Sequence, residues 1–148
     1  MNVSRRTGPI ILMGMFLCAN ACGKKAPPFF AQKQLAAYLV DLSAEQTERR
    51  SILLRGRIQG VRDPNGIREL EGARVLYARY PIEDPPCEDC PIEYRAYQDL
   101  GVEAFTADGF QGELPVQQEP QIYFLKVLLI GNGGALGPAS DRVKIVTE

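Results

Sequence analysis

Four cysteines and a complete absence of histidine bound the chemistry open to this chain of 148 residues. Without histidine it lacks the commonest general base at neutral pH and the commonest metal ligand. Cys87 and Cys90 form a Cys-x-x-Cys pair inside Pro85-Pro86-Cys87-Glu88-Asp89-Cys90-Pro91, and three chemistries use such a pair. A zinc site closes with four ligands, and the N-terminal cysteines belong to a separate segment treated below, so two ligands are missing. A thioredoxin-type redox centre places its pair at a helix N-terminus, after a strand. Here prolines flank both sides, Glu88 and Asp89 would disfavour a thiolate by their negative charge, and no alternating strand–helix pattern surrounds the pair. A structural disulfide in an oxidising compartment fits best. Its closed loop is tiny, so its contribution is on the order of 1 to 2 kcal/mol. It stiffens an exposed loop more than it holds a fold. No glycine-rich phosphate loop and no carboxylate cluster at recognisable spacing occurs, so no catalytic residue, metal site or cofactor is expected.

The other two cysteines, Cys18 and Cys22, follow an N-terminal segment with three parts. Arg5 and Arg6 supply positive charge, Ile10 to Leu17 an apolar run, and Ala19-Asn20-Ala21 small residues. That order is the grammar of a secretory signal peptide over residues 1–21, with an apolar core too short to span a bilayer of about 30 Å. Cys22, after Ala21 and before Gly23-Lys24-Lys25, resembles the lipobox cysteine of bacterial lipoproteins. The resemblance implies that the Cys22 thiol carries a diacylglyceryl group and that cleavage falls just before it. Two or three acyl chains make membrane attachment durable where one does not. Cys18 lacks a small residue before it, which leaves Cys22 as the acylation site. By the same resemblance Gly23 favours sorting to the outer membrane, with the protein facing the periplasm.

Residues 22–34 read as a tether. Lys24 and Lys25 can meet anionic headgroups, and Pro27-Pro28 favours an extended stretch. Removing residues 1–21 leaves 15 basic and 18 acidic side chains, a net −3. That balance gives no case for nucleic acid.

From residue 35 to 148 the chain reads as short strands divided by turns. Ser51 to Ile58 alternates, with Ile52, Leu54, Gly56 and Ile58 on one face and Arg55 and Arg57 on the other. Further strands are expected over Leu39–Leu42, Ala73–Tyr80, Tyr94–Tyr97, Val102–Thr106, Ile122–Ile130 and Arg142–Thr147. Asp63-Pro64-Asn65-Gly66, Asn132-Gly133-Gly134 and Gly137-Pro138 supply turn chemistry. A helical turn or two is open to Ala44–Arg50. Six to seven strands in this space define an all-β, antiparallel, immunoglobulin-like sandwich.

Three segments resemble the fibronectin type III family. Leu70-Glu71-Gly72-Ala73-Arg74-Val75-Leu76-Tyr77 and Tyr123-Phe124-Leu125-Lys126-Val127-Leu128-Leu129 look like two of its core strands. Asn132 through Ser140, then Val143 to Val146, looks like its terminal hairpin. The resemblance implies a corner role for Tyr123, whose hydroxyl would bind nearby backbone. The family buries a tryptophan in its second strand, and this chain has none. Leu54 or Gly56 stands there, and Phe105 or Phe110 is expected to fill the space.

On the Ile122–Ile130 strand, Tyr123, Leu125, Val127 and Leu129 would face the core. Phe124, Leu128 and Ile130 would point outward, either under the chain's own loops or as a face for a partner protein. The sequence therefore points to an envelope lipoprotein, anchored to the membrane, whose sandwich binds or scaffolds envelope proteins. Two alternatives stand beside it: thiol–disulfide activity at Cys87 and Cys90, and an assembly role exerted through the lipidated N-terminus.

Overall fold

The computed structural model describes residues 35–61, 69–87 and 90–148. The signal segment, Cys22, the tether and the turn at Asp63–Gly66 lie outside the described residues. Nine strands follow in order: β1 (Tyr38–Gln46), β2 (Ser51–Gln59), β3 (Leu70–Pro81), β4 (Ala96–Leu100), β5 (Phe105–Thr106), β6 (Gly109–Pro115), β7 (Gln121–Gly131), β8 (Ala135–Leu136) and β9 (Val143–Val146). One sheet has the order β1-β2-β6-β5. The other runs β4-β3-β7, with β8 and β9 both paired to the far side of β7. All pairings are antiparallel. Two antiparallel sheets in this order form an immunoglobulin-like, fibronectin type III-like β-sandwich.

The core lies between β2 and β6 on one side and β3 and β7 on the other. Ile52 and Leu54 of β2 and Phe110 and Leu114 of β6 meet Ala73 and Val75 of β3 and Tyr123, Leu125, Val127 and Leu129 of β7. The alternation of β7 is as expected: those four residues are no more than 1% exposed. Tyr123 also takes the corner role, its hydroxyl accepting the Gln117 N–H at 3.2 Å. Phe110 sits across the ladder from Gly56 and is buried in the core cluster. Phe105 packs against the same cluster but is only half-buried. Leu54 stands opposite Gly112, where a Cβ would lie 2.4 Å from Leu100 Cδ1. Glycine there leaves the room that Leu100 occupies.

Three local expectations are corrected. Ala44–Arg50 holds no helix: β1 continues to Gln46, and a turn follows in which the Arg50 N–H donates to the Thr47 oxygen at 3.2 Å. Pairing of Ala44 and Gln46 with Leu54 and Ile52 overrides the local helix preference. Val102–Thr106 is a 3₁₀ turn over Val102–Ala104 followed by the two residues of β5. The Glu103 carboxylate accepts the Gly101 N–H at 3.0 Å, which sets up that turn. Finally, β4 begins at Ala96, two residues later than expected, because the chain at Tyr94 leaves the edge of β3.

The sandwich has two ends. Leu70 pairs with Gly131 at one, and Pro81 with Gln121 at the other. Leu35 lies against Gly131, so the chain enters at the first end. The β3–β4 connection, with Cys87 and Cys90, lies at the second. There Gln46 Nε2 donates to the Glu148 oxygen at 3.2 Å, and the Glu148 N–H donates to Gln46 Oε1 at 3.0 Å, closing the seam between the sheets.

Candidate functional site

The cysteine pair is a disulfide between Cys87 and Cys90, with Cα atoms 5.2 Å apart. The Cys90 N–H donates to the Cys87 oxygen at 3.2 Å, which makes the bridge a clamp across one turn. Both cysteines are exposed, as are Glu83 and Asp84 before them. Among the described residues no helix begins at the pair: residues 91–95 are irregular and lead straight into β4. The thiolate-stabilising helix terminus of a thioredoxin-type centre is therefore missing from this arrangement. Among the described residues no group of three or more cysteine, aspartate and glutamate side chains converges as metal ligands would.

Beside this loop, the outer face of the β4-β3-β7 sheet differs from the expected apolar patch. Phe124 points outward, as its alternation requires, but it is only 7% exposed. Tyr80 of β3 meets its ring edge-on at 5.8 Å between centroids. The guanidinium of Arg142 lies 5.4 Å from the ring centroid and the Lys144 ammonium 5.9 Å from it. Leu128 and Ile130 are half-buried, paired with Arg74 and Leu136 respectively. The cover for Phe124 comes from long side chains on the neighbouring strands, which the sequence of β7 by itself does not disclose. Phe124 is thus withdrawn as an exposed contact residue.

What replaces it is a surface of cations and aromatic rings. The Lys126 ammonium sits 5.7 Å from the centroid of Tyr94, whose segment has crossed onto this face. The β7–β9 ladder ends with Leu125 opposite Val143, and Lys126 and Arg142 are the next residues on the two sides. The Tyr94 hydroxyl is buried and has no hydrogen-bond partner among the described residues. Burial pushes the Tyr94 phenol above its ordinary pKa, against the opposing pull of Arg142 and with a smaller push from Tyr80. Farther along the face, Arg74 grips Asp99 with two hydrogen bonds of 2.7 and 2.8 Å and stacks 4.4 Å from the centroid of Tyr97. The guanidinium hydrogen bond holds the Asp99 carboxyl below the usual carboxylate range, and the same bond raises Arg74.

Sequence reasoning missed Tyr80, Tyr94, Lys126, Arg142 and Lys144 as members of this surface. Alternation along β3 and β9 carried a signal for Tyr80 and Lys144. Tyr94 carried none, because it belongs to an irregular segment. An open groove of about 600 Å³ adjoins the surface, lined by Tyr77, Arg79, Tyr80, Pro91, Glu93 and Arg95 among others. Its size falls in the range of ligand pockets, but within it Glu93 is already paired with Arg95 at 2.6 Å.

No family model matches the chain, and no curated protein matches it. Among solved structures the chain is similar to the crystal structure of chicken CNTN1 FN1-FN3 domains, with 18% identity and a TM-score of 0.47, over 74% of this chain and 31% of that one. The chain thus spans under a third of the length of that structure.

Proposed function

We propose that the chain is a lipid-anchored envelope protein whose sandwich is a protein-binding or scaffolding module, held by Cys22 at the outer membrane and facing the periplasm. The anchor rests on the signal grammar of residues 1–21 and the lipobox resemblance at Cys22. The binding role rests on one observation above the others. The disulfide-clamped loop lies exposed at the end of the sandwich opposite to Leu35, the first described residue. A stiff, exposed loop on a rigid scaffold is where recognition residues concentrate, and the fold is commonly used for protein contacts. No enzymatic role is proposed.

Two measurements test this reading. Intact mass of the protein from its native membranes should match residues 22–148 plus acyl chains; an unacylated full-length mass sinks the anchor. A photo-crosslinking residue at Glu83, on the loop, should capture envelope proteins that the same residue at Arg55, on the other sheet, does not. Equal capture, or none, sinks the binding role.

A further inference from the structure

Residues 35–148 carry 12 basic and 18 acidic side chains, yet the outer face of the β4-β3-β7 sheet, with β8 and β9, is cationic. Residues paired across antiparallel strands share a face. Pairing therefore sets Tyr97, Leu76 and Lys126 in one row of this face and Asp99, Arg74 and Leu128 in the next. Phe124 shares it with Lys144, Ile122 with Val146, and Ile130 with Leu136. Arg142 joins them over the Phe124 ring. Asp99 is the one carboxylate in this set, and Arg74 already grips it. Among the described residues Lys126, Arg142 and Lys144 make no ion pair, so three positive charges stay uncompensated.

Apolar tips stand among these charges. Tyr97, Leu136 and Val146 belong to this face, three of the six large apolar side chains that are exposed among the described residues. The mixture spreads over five strands and lines no groove: the groove beside residues 91–95 holds none of the three cations. A broad face of this kind matches a layer of anionic headgroups, which attracts the cations and takes up the apolar tips without a pocket. Leu35 lies against Gly131, next to Ile130 and Leu136. Residues 22–34 span at most about 45 Å. A chain acylated at Cys22 therefore keeps the sandwich within reach of the lipid, at high effective concentration.

We propose that this face docks on anionic phospholipid, with Lys126, Arg142 and Lys144 among the headgroups and Tyr97, Leu136 and Val146 at the boundary with the acyl chains. The inference goes beyond the anchor at Cys22 and rests on that reading: the anchor holds the sandwich near the membrane, and the face sets which side it turns to the lipid.

The chain has no tryptophan, so one introduced at a chosen site reports alone. Tyr97→Trp places it on this face, and Gln111→Trp on the exposed face of the other sheet. The acylated protein is reconstituted into phosphatidylcholine vesicles, with or without phosphatidylglycerol, that carry a nitroxide quencher on the headgroup. Phosphatidylglycerol should lower the emission of Tyr97→Trp about twofold or more and leave that of Gln111→Trp unchanged. Salt at about 1 M should restore the emission without any further substitution. Adding Lys126→Gln, Arg142→Gln and Lys144→Gln to Tyr97→Trp should restore it too. The proposal is overturned if both sites are quenched alike, if phosphatidylglycerol makes no difference, or if the triple substitution leaves the quenching in place. It is also overturned if polyglutamate, and not the vesicles, shifts the Tyr97→Trp emission, which makes the partner an acidic protein. A triple substitution that halves the mass in detergent overturns it as well, since the face then meets a second copy. Flotation of the vesicles separates the face from the anchor. Protein that floats at high salt but is not quenched at low salt keeps the anchor and loses the face. Protein quenched at low salt and released at high salt keeps the face and loses the anchor.

Discussion

Ser140 completes the ladder opposite Val127 with its side chain: its Oγ accepts the Val127 N–H at 3.0 Å, while its own N–H donates to the Val127 oxygen at 2.9 Å. The stretch between β8 and β9 contains Pro138, which has no N–H, and it leaves regular pairing. Ser140 is buried, so without Oγ the Val127 N–H would have neither partner nor water. Ser140→Ala should therefore cost about 1 to 3 kcal/mol. The check is a lower urea midpoint with unchanged slope; an unchanged midpoint would mean that Val127 finds another acceptor.

Tyr123→Phe keeps the ring in the core and removes only the acceptor of the Gln117 N–H. A loss of about 0.5 to 1.5 kcal/mol is expected. Amide exchange at Gln117 should rise more than at Leu125, which separates a local effect at the corner from a general loosening.

Phe110→Ala should be among the most damaging single changes in the sandwich, at about 3 to 5 kcal/mol. Phe105→Ala, at a half-buried site on the short β5, should cost clearly less. Equal costs would contradict the deeper burial of Phe110 in the core.

Replacing both Cys87 and Cys90 by serine should leave the fold in place and lower stability on the order of 1 to 2 kcal/mol, since the loop that the bridge closes is so short. Capture of partners at Glu83 should weaken more than stability does. Unfolding of the variant at room temperature would show that the bridge holds the fold.

The Arg74–Asp99 pair gives stability a pH dependence of known sign. Asp99 has its pKa lowered in the folded chain by the Arg74 hydrogen bond. The pair's contribution is thus complete above the ordinary carboxylate range and is lost as pH falls through the lowered value. Both side chains are partly exposed, so solvent screening keeps it below about 1 kcal/mol. Asp99→Asn should be slightly less stable than the parent at pH 7, and the two should converge at acid pH.

The strands most legible in the sequence were those with long uninterrupted alternation. Ile52 to Ile58 and Tyr123 to Leu129 announced β2 and β7, and the core faces of both are as read. β6 was not seen, because Gly109, Gly112 and Pro115 break its run of Phe110 and Leu114. Its glycines make sense only in three dimensions, where Leu100 from the other sheet fills the gap beside Gly112. The cysteine pair was legible from spacing and flanking prolines alone. The surface beside it was not, since Phe124 is covered by Tyr80 from β3 and by Arg142 and Lys144 from the chain's last strand and the residue before it.

The placement of Leu35 and the Cys87–Cys90 loop at opposite ends of the sandwich also fixes how the domain bears tension. A pull between a tether at one end and a partner at the other runs along the strands. Ladder hydrogen bonds lie across the strands, so such a pull shears many of them together and does not peel them one at a time. The β3–β7 ladder, eleven residues long in β7, carries that load along its whole length. A load applied at Leu35 and at the Cys87–Cys90 loop therefore meets the sandwich along its stiffest direction.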